Sequence, residues 1–192
     1  MAPKREKGLY ISSCEVGGRW VAVAYDAGGR IWANSLPLAD EGSARGAAVA
    51  AARGRGAASF TEGPPEKGKE LAHAILAAGS DPNLALPLSF DGLTPFARAV
   101  LESVRRIPRG KVASYGDVAR SVGRHRAWRA VGSVMAKNPF VYAVPCHRVV
   151  KSDLSPGEFG GDPEAKVHLL REEGVAFEGK RIRASCRLAQ GK

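Results

Sequence analysis

Apolar positions between residues 8 and 36 come in short bursts. Leu9-Tyr10-Ile11, Trp20–Tyr25 and Ile31-Trp32-Ala33 read as strands, with Asp26-Ala27-Gly28-Gly29 as the turn before the last of them. This pattern predicts a meander or hairpin. The segment Gly42–Ser59 is rich in Gly, Ala and Arg and predicts no more than a short Ala-rich helix with loose ends. In Lys67–Ala78, Leu71, Ile75 and Leu76 recur at helical spacing, so an amphipathic helix is expected. Asp81-Pro82-Asn83 breaks it, and Pro87-Leu88-Ser89 reads as a linker. A domain boundary is therefore expected near residue 88, separating 1–88 from 89–192.

The second half is more sharply punctuated. Thr94 is a good N-cap with Pro95 at the first helical position, and Phe96, Val100, Leu101 and Val104 line one face. That helix ends before the turn Ile107-Pro108-Arg109-Gly110. Ser114-Tyr115-Gly116-Asp117 resembles a capping box and starts a short helix that Gly123 closes. A second helix is expected from about Arg126 to Lys137, stopped by Asn138-Pro139. Two short helices joined by a Gly-containing turn form a helix-turn-helix pattern. On the second helix, Trp128, Val131 and Met135 are expected to pack inward. Arg129, Gly132, Ser133 and Ala136 form the adjacent face, one basic residue followed by very small side chains. Such a face lets the backbone approach either another helix or a groove wall, whereas a major-groove reader presents long polar side chains to base edges.

Charge favours the groove. The 192-residue chain has a net charge of +10. Arg98–Lys151 carries twelve Lys/Arg against Glu102 and Asp117, so this stretch holds the whole imbalance. A basic run alone reads equally well as a solvated face. One that contains an organised helix pair flanked by Arg106, Arg124, Arg126 and Lys137 points to a phosphate backbone, and the small-residue face to the minor groove. The remaining composition is ordinary: 44% hydrophobic and 25% charged residues describe a globular protein of one domain or two small ones. No apolar run reaches the ~18 residues of a membrane span, and the residues after Met1 lead into no signal-like stretch. Cys14, Cys146 and Cys186 lack CxxC spacing, which argues against a disulfide framework or a Cys-rich zinc site and for a reducing cytoplasm. Asn and Gln are scarce, a composition that hints at a hot-living source.

The chemistry concentrates after the apolar run Phe140–Val144, in Pro145-Cys146-His147-Arg148-Val149-Val150. A cysteine in apolar surroundings reads as an inert core residue, and an adjacent histidine changes that little because neighbouring side chains diverge. A nucleophilic cysteine needs a base or a positive field to lower its pKa from ~8.5, and Cys146 lies in the most basic part of the chain.

Several ordered motifs carry a resemblance. Pro145-Cys146-His147-Arg148-Val149 is preceded by Arg129-Ala130-Val131-Gly132, Met135 and Asn138-Pro139. Ile107-Pro108-x-Gly110-x-Val112-x-Ser114-Tyr115-Gly116 stands before these, and Lys166-x-x-Leu169-Leu170-x-x-Glu173-Gly174 after them. Over Thr94–Gly174 the chain resembles the O6-alkylguanine-DNA alkyltransferase family. The resemblance implies an α+β protein with a small N-terminal α/β domain built on an antiparallel, ribonuclease-H-like sheet and a C-terminal winged helix-turn-helix domain. It implies a monomer that binds duplex DNA through the minor groove, rotates an O6-alkylguanine out of the stack and moves the alkyl group irreversibly to Cys146. By the family's roles His147 is the base, acting through a water, Glu173 orients its imidazole, and Asn138 braces the turn. Tyr115 assists flipping and donates to the base, and Arg129 fills the gap in the stack. Met135, Val141 and Phe159 line the pocket, the carbonyls of Cys146 and Val149 accept from the guanine amine, and the Gly160 N–H meets O6. Arg124, Arg126, Gly132, Ser133 and Ala136 complete the DNA face. No metal and no organic cofactor is implied.

The chemistry asks for the same groups. Displacement at an sp³ carbon needs a soft anionic nucleophile and a donor at the leaving oxygen, and a base buried in a duplex must first be extruded. Departures from the family pattern are Phe159 and Gly160, where Tyr and Ser are frequent, and Trp128, where a small residue is usual. Cys14 lacks the neighbours of the N-terminal zinc site found in some members, and its pairing with Cys186 stays open. Lys166 is expected to be an ordinary solvated residue. Glu173 falls at a helix C-terminus, where a carboxylate is unfavourable unless a cationic or imidazole partner faces it. Rival readings are an alkyltransferase-like protein that recognises damage without transfer, which would lack the acceptor cysteine, a winged-helix regulator, and a thiol hydrolase.

Overall fold

A computed structural model describes residues 7–81, 84–159 and 163–189. The N-terminal stretch before Lys7, the Pro82-Asn83 helix break and Gly160, whose N–H the resemblance assigns to O6, lie outside these residues. The chain divides into two compact units. The first takes in most of the chain before Thr94 together with Pro139–Ala143; the second comprises Thr94–Asn138 and the chain from Val144 onward, with a short piece that includes Gly79.

The first unit begins with strands β1 (Lys7–Val16), β2 (Arg19–Tyr25) and β3 (Ile31–Asn34). Gly17 and Gly18, both at positive φ, make the two-residue turn that a tight hairpin requires and set Val16 opposite Arg19. Helix α1 (Glu41–Arg53) follows, capped by the Asp40 carboxylate on the Ser43 amide at 2.8 Å, and then β4 (Ala57–Glu62) and helix α2 (Pro65–Ser80). The sheet order is β3-β2-β1-β4. β1, β2 and β3 are antiparallel neighbours as expected, and β4 joins the sheet parallel to β1, with α1 serving as the crossover that parallel strands need. The Gly/Ala/Arg segment conceals both elements, since small alanines (Ala44, Ala48, Ala52) are what let α1 lie close on the sheet. Pro139–Ala143 joins this unit through an Asn34–Phe140 bridge and the buried Arg55, whose guanidinium lies 4.9 Å from the Trp32 ring centroid and 5.0 Å from that of Phe140.

The second unit begins at helix α3 (Pro95–Arg105), whose Ala97 amide donates to Thr94 Oγ1 at 3.1 Å. Val100, Leu101 and Val104 are fully buried, each contributing about 1.5–3 kcal/mol of apolar burial. Strand β5 (Ala113–Ser114) leads directly into helix α4 (Tyr115–Ser121). The expected capping box is formed: Asp117 N donates to Ser114 Oγ at 3.1 Å, and Ser114 N donates to Asp117 Oδ2 at 2.8 Å. Gly123 turns the chain at φ +69, and helix α5 (Trp128–Ala136) follows, starting two residues later than its sequence pattern indicates. A single 3₁₀ turn, Cys146–Arg148, passes into β6 (Val149–Val150). Helix α6 (Pro163–Glu172) and the small hairpin β7 (Phe177–Glu178) and β8 (Arg181–Ile182) complete the unit. No helix among the described residues is long and apolar enough to cross a membrane.

Candidate active site and helix-turn-helix face

Two-residue strands bring the site together. β5 pairs in parallel with β6, Ala113 opposite Val149 and Ser114 opposite Val150. β5 delivers Tyr115 at the start of α4, and β6 leaves the turn that carries Cys146, so the pairing sets the phenol beside that turn. The turn itself is braced at Val144, whose carbonyl accepts from Cys146 N at 2.8 Å and from Asn138 Nδ2 at 3.0 Å. Arg148 N closes it on the Pro145 carbonyl at 2.9 Å.

Cys146 is buried, 8% exposed, and all three cysteines are free thiols. Burial pushes the Cys146 thiol up, against a bond from Asn138 and the charge of Lys166, which pull it down. His147 is 3% exposed and lies 2.9 Å, through Nε2, from Glu173 Oε1. Burial brings its pKa down, only partly offset by Glu173, so the ring is neutral at pH 7. A carboxylate only accepts, so Nε2 carries the proton and Nδ1 is left as an acceptor. Burial works to raise Glu173, but bonds from His147 and Arg148 outweigh it and hold the carboxyl at about 2.

Sequence reasoning missed two members of this array. Arg148, fully buried, grips Glu173 through Nε to Oε2 at 2.8 Å and Nη2 to Oε1 at 2.6 Å, and also donates to the carbonyls of Ile107 and Gly79. The only signal for it is a single Arg within the apolar run Phe140–Val150, where a side chain that cannot reach water must find internal acceptors. Lys166 is corrected outright. It is 1% exposed rather than solvated, and its Nζ donates to the Val149 carbonyl at 2.6 Å. Burial lowers it to about 8 against the opposing charges of Cys146 and Glu158. It stands one turn before the fully buried Leu170 on α6, which was the available signal.

The other expected residues fall as follows. Tyr115 is half-buried; burial first, then Cys146 and Glu158, push its phenol up, so it stays a protonated donor. Met135 is buried, and the Phe159 ring stands edge-on to His147 at 6.3 Å. Val149 N donates to the Cys146 carbonyl, so the carbonyls of Cys146 and Val149 each hold one partner and retain a second lone pair. Val141 belongs to the first unit, where its carbonyl accepts from Asn34 Nδ2 at 2.9 Å. Gly160 lies outside the described residues.

On α5, Val131 and Met135 are buried while Arg129, Ser133 and Ala136 are exposed and Gly132 partly so. Arg124, Arg126 and Lys137 are exposed beside them. Trp128 is a correction: expected inward, it is 48% exposed. It shares a helical row with Val131 but occupies the first position of α5, where a side chain leaning toward the N-terminus projects past the core. A groove of about 890 Å³ runs along this face, walled by Tyr115, Trp128, Arg129, Gly132, Ser133 and Lys151.

One further contact supports Tyr115 from the C-terminal segment. Arg187 donates to both oxygens of the buried Asp117, at 2.7 and 2.9 Å, and Arg120 binds the same carboxylate. Burial works to raise Asp117, but the bonds from Arg187 and Ser114 outweigh it and hold the carboxyl below its ordinary range. Arg187→Ala is expected to lower stability in urea by about 1.5–3 kcal/mol, the worth of charge-assisted bonds to a buried acceptor. A loss below about 0.5 kcal/mol, the level of a plain surface change, would show that Arg120 and Ser114 suffice for the cap.

A buried Cys146, the buried His147–Glu173 pair and an exposed helix-turn-helix face in one unit, in a chain whose other unit is built on a four-stranded sheet, define a DNA-alkyltransferase-like α/β protein. The family model described as 6-O-methylguanine DNA methyltransferase, DNA binding domain, matches residues 95–175. A methylated-DNA–protein-cysteine methyltransferase from Methanothermobacter thermautotrophicus is 40% identical over 93 residues, 48% of this chain and 52% of its own length. One of the same name from Thermococcus gammatolerans is 38% identical over 125 residues, 64% of this chain and 70% of its own. The crystal structure of O6-methylguanine-DNA methyltransferase from the hyperthermophilic archaeon Pyrococcus kodakaraensis strain KOD1 superposes with a TM-score of 0.69 at 31% identity, covering 87% of this chain and 99% of that one. The chain belongs to the methylated-DNA–protein-cysteine methyltransferase family. The sequence match spans about half the length of the first of these relatives.

Proposed function

We propose that the protein repairs DNA by direct reversal, taking the alkyl group from O6-alkylguanine in duplex DNA onto Cys146, once per molecule. The observation that carries this reading is a buried thiol in a braced turn whose next two residues converge on one buried carboxylate, His147 at 2.9 Å and Arg148 in a double bond pair. A damage-recognition protein without transfer has no use for the acceptor thiol.

At neutral pH the raised thiol is protonated, so its proton must leave as the sulfur attacks. Neutral His147 accepts that proton at Nδ1 through a water, and Glu173 stabilises the imidazolium that forms. The S–C bond forms as the C–O6 bond breaks, the bonding pair goes to O6, and the Tyr115 hydroxyl donates to the base that carries the new charge. Lys166 places a cation beside the developing thiolate. The product thioether is stable to simple reductants, which limits each molecule to one event. Residues 89–192 carry the reaction, with 1–88 as a separate N-terminal domain. The α5 face enters the minor groove, its small side chains allowing close approach. The protein acts as a monomer in the cytoplasm, where a reducing setting keeps Cys146 free.

The decisive experiment mixes the protein with a duplex containing O6-methylguanine and maps the modified peptide by mass spectrometry. One methyl on the Cys146 peptide is the expected result; a methyl on Cys14 or Cys186, or repeated turnover, overturns the reading. The pH response separates the base from the nucleophile. A thiol whose pKa is raised gains thiolate about tenfold per pH unit below that value. The rate deficit of His147→Ala on a free O6-alkylguanine base is therefore expected to shrink between about pH 7 and about pH 9, as hydroxide replaces the lost base. A deficit unchanged over that range would count against His147 as the base.

A further inference from the structure

Trp128 is the most exposed of the large hydrophobic side chains at the described surface, ahead of Tyr10 and Leu188 at 36% each. It opens α5, and the Arg129 guanidinium lies 4.4 Å from its ring centroid. The pair stands on the wall of the groove that also holds Tyr115 and Gly132. The ring therefore buries one face under a cation and leaves much of the rest to water.

An exposed cation–π pair is worth about 0.5–1 kcal/mol. That is enough to bias Arg129 toward one position in the free protein and too little to keep it there against a better site. The surroundings say what a better site would be. Lys151 is an exposed cation on the groove wall, Arg124 and Arg126 are exposed in the turn that leads into α5, and Asp153, also on the wall, is engaged by Ser155 and Arg181. A groove with cations around it and an aromatic platform within it is complementary to a polyanion with exposed ring faces. A duplex from which one nucleotide has been extruded offers both, because the extrusion unstacks the neighbouring base.

We propose that Trp128 is a DNA-contacting residue in its own right: it stores Arg129 stacked in the free protein and, once Arg129 enters the duplex, offers its vacated ring face to the unstacked base beside the extruded nucleotide. This rests on the duplex-binding reading above. It differs from a role for Trp128 as a mere prop for Arg129, because the ring has its own partner in the complex.

The test measures affinity for a labelled duplex containing O6-methylguanine, together with tryptophan emission, for the wild type, W128A, W128F, R129A and the W128A/R129A double variant. Melting temperatures within about 2 °C of the wild type are expected for W128A and W128F, since the ring is a surface group. W128A is expected to bind the duplex about tenfold more weakly, as loss of one base–aromatic stack dictates, and W128F to recover most of that loss. Emission of the wild type is expected to change on binding, and that change to vanish in W128F. The double variant is expected to bind more weakly than R129A alone. Equal affinities of W128A and the wild type, equal losses in W128A and W128F, or a double variant no weaker than R129A would each overturn the direct contact while leaving duplex binding intact. A wild type that neither binds the duplex nor transfers the alkyl group would instead overturn the reading on which it rests.

Discussion

Cys146→Ala is expected to abolish alkyl transfer while keeping duplex affinity within about threefold, because phosphate contacts dominate affinity and none of them involves the thiol. The wild type is expected to stop at one alkyl group per molecule, measured as label retained against protein concentration. The removal is absolute because neither neighbour supplies a substitute. His147 is the next residue in the chain and Lys166 acts on the thiol by its charge, but the imidazole is committed through Nε2 to Glu173 and the ammonium to the Val149 carbonyl. His147→Ala is expected to differ in kind. It should slow the step about 10²–10⁴-fold, the usual worth of a positioned base, and leave the one-to-one limit in place. Residual transfer by Cys146→Ala, or more than one alkyl group removed per wild-type molecule, would refute the covalent mechanism.

The second large effect is on stability. Arg148→Met is expected to cost about 3–5 kcal/mol, because it leaves the Glu173 carboxylate facing the neutral His147 with its buried cation gone and takes the Arg148 donors from the carbonyls of Ile107 and Gly79. In a chain of this size that lowers the melting temperature by roughly 6–20 °C. Arg148→Met combined with Glu173→Gln should recover a substantial part of the loss, since the uncompensated charge is then gone; a double variant as unstable as the single would show that packing, not charge, is at stake. The pH dependence carries the same sign. Glu173 is held at about 2, below its unfolded value near 4.3, so its stabilising contribution is complete above pH ~4.3 and drains away as pH falls toward 2. Acid melts of the wild type should show this loss, and those of Glu173→Gln should be flatter over the same interval.

What could be read in advance divides along the range of the interactions. Thr94-Pro95 and Ser114-x-x-Asp117 announce helix starts because a cap bond spans three residues, and both caps form as their spacing requires. The β4 crossover was hidden because Ala-rich α1 owes its place to contact with the sheet rather than to an apolar stripe of its own. Trp128 departs from its expected inward position for a related reason. Periodicity sets the row a side chain occupies, but not whether any core lies under the end of that row.

The amino-acid sequence by itself determined the candidate thiol and its histidine neighbour, the helix-turn-helix pattern and the concentration of positive charge, because each is written in adjacent residues or in local spacing. Only the tertiary structure decided that Arg148 and His147 share Glu173, that Lys166 is internal, and that Arg187 reaches back seventy residues to Asp117. Those partnerships join residues far apart in the chain. Each exists because a buried charge must find a partner wherever the fold brings one within reach.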